Sequence, residues 1–199
     1  TSTSSTVFSG VSGVQNISGS GTSNFQDISI SNSDGIYINA AGHTLNCAGT
    51  FTNSGDLQND GRLIALGTTT FNGGSQQDIS GSGQNTFYNL TLNNASGLRF
   101  VNGTDTIREV LKTDNGSFTN VGAQVILASY SDGTGAQLDD LGSNTYSGNI
   151  IVQRKLITGS EQGHRMLSSP VQSTTLSNWM DDGVVFSGFT GSDFPTHWW

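Results

Sequence analysis

Residues 15–39 read QNISGSGTSNFQDISISNSDGIYIN, and residues 77–101 read QDISGSGQNTFYNLTLNNASGLRFV. The second segment repeats the first at an offset of 62 residues (77 − 15). Ile17 matches Ile79, Phe25 matches Phe87, Gly35 matches Gly97, and Ile28 and Ile30 match Leu90 and Leu92. Ile36 and Ile38 likewise match Leu98 and Phe100. Apolar positions persist while polar ones drift, which is how a repeated packing unit behaves. A chain built from such units buries its apolar face by stacking one unit on the next.

Inside each copy the period is two. Asp27-Ile28-Ser29-Ile30-Ser31 and Asn89-Leu90-Thr91-Leu92-Asn93 alternate strictly, so aliphatic residues fall on one face of a strand and hydroxyls and amides on the other. Turn chemistry follows in Asn32-Ser33-Asp34-Gly35 and Asn93-Asn94-Ala95-Ser96-Gly97, because Asn, Asp and Gly tolerate left-handed backbone angles. Similar strand-turn units fill the interval, among them His43 to Cys47, Gly49 to Asn53 and Gly61 to Leu66. The nearest approach to helical spacing is Thr106 to Lys112, which strand-like sequence flanks; it is expected to be a strand.

Short strands at regular spacing can close into a sandwich or barrel, or stack as coils of a solenoid. A 62-residue unit holds three coils of about 21 residues, a size that suits a strand-based coil. Stacked coils also account for the abundance of Asn, Ser and Thr, which can bond in ladders up the stack. The expected fold class is therefore all-β, a parallel β-solenoid (β-helix) of about 21-residue coils.

Only 33% of residues are hydrophobic and 11% charged, with 2 prolines. Disordered chains combine low hydrophobicity with high charge and abundant Pro, so a narrow, ordered β-coil fits better. Lys and Arg number 7 against a net charge of −8. That deficit argues against a nucleic-acid partner and against docking on anionic lipid, and no segment reaches the ~20 apolar residues of a membrane helix. Cys47 is the one cysteine, so no intrachain disulfide forms; between Asn46 and Ala48 it is expected to be a small buried residue.

Composition changes near residue 149. Trp179, Trp198, Trp199, Pro170, Pro195, Met166, Met180, His164 and His197 all follow it. The expected organisation is a solenoid over residues 1–148 and the truncated start of a second β-rich module over 149–199. The adjacent Trp198 and Trp199 carry apolar area that is normally buried, so the parent protein is expected to continue.

Catalytic constellations are scarce. Gly19-Ser20-Gly21 lacks the third glycine of a dinucleotide loop, and its repeat mate Gly81-Ser82-Gly83 marks it as turn chemistry. Sugar chemistry needs two carboxyls facing one groove about 5–10 Å apart. The candidate pairs are Asp139-Asp140 and Asp181-Asp182, but adjacent strand residues point to opposite faces. Hard cations favour clustered Asp with backbone carbonyls; Asp132-Gly133 and Asp139-Asp140 are the candidate calcium contributors, without a D-x-D-x-D-G loop. No cofactor is otherwise expected. Thr68-Thr69-Thr70 invites an ice-binding reading, which would need Thr-x-Thr ranks on successive coils; the 62-residue offset does not repeat the triplet. Phe25 and Phe87 could stack on glycans, but their equivalent repeat positions make them core.

Thr86 to Asn94 and Gly148 to Arg154 resemble repeat regions of large secreted proteins of the Bacteroidota. More specific is Gly163-His164-Arg165-Met166-Leu167-Ser168-Ser169-Pro170-Val171 with Thr175-Leu176-Ser177-Asn178-Trp179, which resembles a module that follows such repeats; Phe189 to Pro195 fits it too. The resemblance implies export of the parent by the type IX secretion system, extracellular or cell-surface display, and a structural or adhesive role, with surface glycans or other cells as partners. A carbohydrate-active or glycan-binding β-helix is the alternative; no catalysis is expected of this segment itself. Asp105-Thr106-Ile107 resembles the Asp-Thr-aliphatic O-glycosylation site of that phylum's secreted proteins, making Thr106 the candidate modification site.

Overall fold

The computed structural model describes residues 4–10, 12–130 and 134–153. Among these residues every element is a strand, with no helix. The strands form two parallel sheets, one of eleven strands and one of seven. Each coil contributes one strand to the narrow sheet and then crosses the wide sheet. The seven strands of the narrow sheet mark about seven turns of a β-solenoid. The expected strand through Thr106 and Lys112 lies within Thr104–Asn115.

Registers give the coil length. Ile36 pairs with Leu57, and Leu90 with Leu111, each a step of 21 residues (57 − 36 and 111 − 90). Ile28 pairs with Phe51, Phe51 with Thr69 and Thr69 with Leu90. Ile28 and its repeat mate Leu90 therefore lie in one column, three coils apart. The last coil is longer: Phe118 pairs with Tyr146, 28 residues on, and the excess carries the antiparallel bridge between Ser129 and Gly135. Ile151–Val152 then adds a strand beside Ile126 and Leu127.

In the lower coils the wide face is made by separate strands, such as His43–Cys47 and Phe51–Asn53. Higher up, single long strands cross it, as in Arg62–Phe71 and Gln84–Asn93. A register shift between Phe87 and Asn89 bends the face there. Such irregularities let one strand turn a corner while its alternation continues on both sides.

Inward positions fill the core. Ile28, Ile30, Phe51, Leu63, Phe71, Phe87, Leu90, Leu92 and Phe118 are all sealed from solvent. Burying each such side chain contributes about 1.5–3 kcal/mol, so a narrow coil holds together with few of them per turn. Phe25, Cys47, Ala65 and Phe87 form one column. Two small residues separate the repeated phenylalanines, and Cys47 has the small, buried place expected of it. Phe87 is fully buried, and Phe25, the first member of the column, packs on the core.

The turns repeat as faithfully as the core. Asn32 accepts the Asp34 N–H at 3.0 Å, and Asn94 accepts the Ser96 N–H at 2.9 Å. The residue that follows each donor, Gly35 or Gly97, has a positive φ of 85° or 89°, which a side chain would strain. Both Asn side chains also donate to carbonyls of the coil below, Gly13 and Ser75. Each turn is thus clamped to its neighbour.

Candidate functional site

Outward positions on the wide sheet also form columns. Thr22, Thr44, Arg62, Gln84, Thr104 and Gln124 follow one another on six consecutive coils. Strand alternation puts them outside because Ser23, Leu45, Leu63, Asn85, Asp105 and Val125 take the inward places beside them. Arg62, Gln84, Thr22 and Gln124 are exposed, and Thr44 and Thr104 are half-buried. No side chain of this column has a hydrogen-bond or ion-pair partner among the described residues.

Near its centre the column borders an open groove of about 410 Å³. The turn Ala41-Gly42 stands on one side and Ser82-Gly83 on the other, with Thr44, Asp60, Arg62 and Gln84 between. Asp60 is fully engaged. It accepts the Ser82 N–H at 2.8 Å, the Ser82 hydroxyl at 3.0 Å and the Tyr37 hydroxyl. The Ser82 amide first, and then the two hydroxyls, hold its pKa below the ordinary carboxylate value. The same bond raises that of the Tyr37 phenol.

Arg62 differs from the other described cations. Arg99 forms a bidentate pair with Asp78, at 2.7 and 2.6 Å. Lys112 meets Asp114 at 2.8 Å. Arg108 lies between the rings of Tyr88 and Tyr130, 5.2 and 4.9 Å from their centroids, and its Nε donates to the Tyr130 oxygen at 2.9 Å. Arg62 alone of these four has no partner among the described residues. The groove thus combines a free guanidinium, a free amide, a free hydroxyl and an ionised carboxylate that is already bonded. That set recognises a polar ligand by hydrogen bonds.

The interior holds a second unusual cluster. Asn59 donates to Asn85 at 2.7 Å, and Asn85 donates to Asp105 Oδ1 at 2.9 Å. Asp105 is fully buried, and its Oδ2 has no partner. Burial, opposed by the Asn85 hydrogen bond, pushes its pKa up to about 7.

The residues singled out in the sequence fall as follows. Thr106 is half-buried on the outer face, between inward Asp105 and Ile107 and beside Thr86 and Ile126 on adjacent coils. Asp139 and Asp140 are exposed turn residues: Asp139 accepts the Asp140 N–H and Asp140 accepts the Gly142 N–H, both at 2.9 Å. Asp132-Gly133, Asp181-Asp182 and residues 154–199 of the expected second module lie outside the described residues. No group of three potential metal ligands occurs among the described residues. Thr69 points inward and is buried, whereas Thr70 lies outward between Thr52 and Thr91. A rank of threonines does therefore cross successive coils, which the 62-residue offset concealed. It is three threonines long and gives way to Ser29 below and Lys112 above.

The sequence does not point to Arg62, and it offers Asp105 only as the first residue of the Asp105-Thr106-Ile107 glycosylation motif. Arg62 becomes distinctive only when the other described cations find their partners, Arg99 and Arg108 across coils and Lys112 two residues along its own strand. Asp105 carries a legible signal: it shares strand parity with Ile107, which places it inside.

Fold and groove define a class, the parallel β-solenoid with a polar outer groove on its wide face. Compared with known proteins, the chain matches no protein-family model, no curated protein and no solved structure.

Proposed function

We propose that this chain is a structural and adhesive segment of a large secreted protein displayed at a cell surface, exported through the type IX secretion system. The observation that carries the structural part is the use of the polar groups. Buried and half-buried Asn, Gln and Asp side chains clamp turns or link coils, as at Asn32, Asn94 and the Asn59–Asn85–Asp105 chain. A solenoid held this way is a rod whose outer columns are presented at fixed spacing. Recognition residues placed on a rigid ladder need no ordering on binding. The secretion route and the adhesive role draw on the resemblance of the repeats and of residues 163–179 to Bacteroidota surface proteins.

The test is localisation of the tagged parent protein in a type IX-competent host and in a secretion-deficient mutant. Surface exposure to added protease in the first and intracellular retention in the second are expected. Equal exposure in both would overturn the export route, and polysaccharide turnover by the parent would replace the adhesive reading with an enzymatic one. Glycosylation at Thr106 belongs to the same proposal. A glycan mass increment on the peptide containing Thr106, absent after Thr106→Ala, is the expected result; an unmodified peptide from the exporting host would remove it.

A further inference from the structure

We infer that the Arg62 groove is a binding site for a linear oligosaccharide carrying an isolated carboxylate, a uronic acid, with Arg62 holding that carboxylate. This deepens the adhesive reading above and rests on it.

The shape of the ligand follows from the column. Neighbouring coils are spaced about 4.8 Å apart, so the six side chains from Thr22 to Gln124 span roughly 24 Å. They run in a line up one sheet face. A linear chain lying along the solenoid axis can meet all of them; a compact ligand meets only those at the groove. The side chains sit on a sheet face, where an added β-strand would find no free backbone groups. Strand addition by a peptide is therefore excluded at this place.

The chemistry follows from the side chains. Thr hydroxyls and Gln amides both donate and accept, which suits a ligand with many hydroxyls. Among the described residues no side chain takes up their hydrogen-bonding capacity, so a ligand displaces water and breaks none of the bonds described. Asp60 cannot swing to pair with Arg62 without giving up the Ser82 and Tyr37 bonds. The guanidinium therefore stays open to an external carboxylate, which it can grip with two parallel hydrogen bonds.

The number of carboxylates follows from charge. One free cation among the described residues matches one anionic group. A densely charged polyanion would meet repulsion from a chain of net charge −8, and nucleic acid would need several cations to neutralise successive phosphates. A mostly neutral glycan with sparse uronates avoids both penalties.

The experiment is calorimetric titration of the full 199-residue chain with three probes: a xylo-oligosaccharide, the same backbone bearing one glucuronate, and oligogalacturonate of equal length. The singly charged probe is expected to bind about tenfold or more tighter than the neutral one, the scale of one charge-assisted hydrogen-bonded contact. Arg62→Gln is expected to abolish that difference, and Lys112→Ala, on the other half of the wide face, to leave it unchanged. Arg62 is exposed, so its variant keeps the fold, which circular dichroism checks. Equal binding of the neutral and singly charged probes, tighter binding of oligogalacturonate, insensitivity to Arg62→Gln, or no binding of any probe each overturns the inference. Surface display, tested separately by localisation, is untouched by all of these outcomes.

Discussion

Asn85 donates a 2.9 Å hydrogen bond to Asp105 Oδ1 inside the sealed coil, while Oδ2 of the same carboxyl has no partner. One amide donor does not offset the desolvation of a buried carboxylate. The Tyr146 phenol, its pKa pushed up to about 12 chiefly by burial, remains neutral and offers Asp105 no compensating positive charge. Asp105 is therefore most comfortable protonated, with a pKa of about 7 against about 3.9 in the unfolded chain.

The sign of the pH dependence follows. A carboxyl whose pKa is raised on folding contributes stability below the unfolded value, and that contribution is lost as pH rises through about 7. Between pH 5 and pH 8.5 the loss reaches a few kcal/mol at most, on the order of 1.4 kcal/mol for each pH unit over which the two states differ in protonation. Asp105→Asn keeps the shape and removes the charge. Urea midpoints of the native chain should fall from pH 5 to pH 8.5 by more than those of Asp105→Asn. Parallel pH profiles for the two proteins would show that Asp105 is not the group responsible.

The column Phe25, Cys47, Ala65, Phe87 makes a second expectation. Its two small members leave room for the phenylalanines, so Ala65→Leu adds atoms where none fit and should cost about 1–3 kcal/mol. Cys47→Ala removes one small atom and should cost less. Burial raises the thiol pKa, which lowers the fraction of reactive thiolate. A disulfide reagent should label the unfolded chain fully and the native chain only at the rate of opening. Rapid labelling under native conditions would contradict the packing.

Much of this architecture is legible in the sequence. Ile28 and Leu90, or Asn32 and Asn94, declare themselves as equivalent because the same inward place or turn imposes the same chemistry. The 62-residue unit also divides into three coils. What stays hidden is the register between consecutive coils. From Ile28 to Phe51 to Thr69 to Leu90 the steps are 23, 18 and 21 residues (51 − 28, 69 − 51, 90 − 69). Turn lengths vary from coil to coil while the stacked strands stay in register, so no fixed spacing lines up Thr52 with Thr70 and Thr91. The same irregularity hides Arg62 between Thr44 and Gln84. A site made of one residue per coil has no motif in the linear chain.

The Tyr88–Arg108–Tyr130 stack yields a third expectation. A guanidinium between two rings contributes roughly 0.5–2 kcal/mol, and Arg108 also bonds the Tyr130 hydroxyl, which donates back to the Arg108 carbonyl at 2.7 Å. Arg108→Ala should lower stability by about 1–2 kcal/mol. Arg108→Lys should recover only part of that, since an ammonium lacks the planar face. Lys112→Ala is the contrast: its pair with Asp114 is about half exposed, and such pairs contribute about 0–1 kcal/mol. Denaturant midpoints that rank Lys112→Ala as the more damaging change would reverse this assignment.

Gly35 and Gly97 occupy the same place in the repeat and should nevertheless differ in tolerance. Both have positive φ, so alanine strains the backbone of either by about 1 kcal/mol or more. The surroundings then separate them. A Cβ at Gly35 would collide with the backbone of Asp56 in the coil above, whereas at Gly97 the nearest atom is the Ser117 carbonyl oxygen at 3.0 Å. Relief at Gly97 needs a few tenths of an ångström; at Gly35 two coils must separate, and the ladder bond from the Ile36 N–H to the Asp56 carbonyl, 2.9 Å, lies at that point. Gly97→Ala should therefore cost about 1–2 kcal/mol and Gly35→Ala clearly more, by about 1–3 kcal/mol of added overpacking. Thermal or urea unfolding of the two variants decides it, and equal losses would mean that the coils yield more readily than their hydrogen-bonded spacing implies.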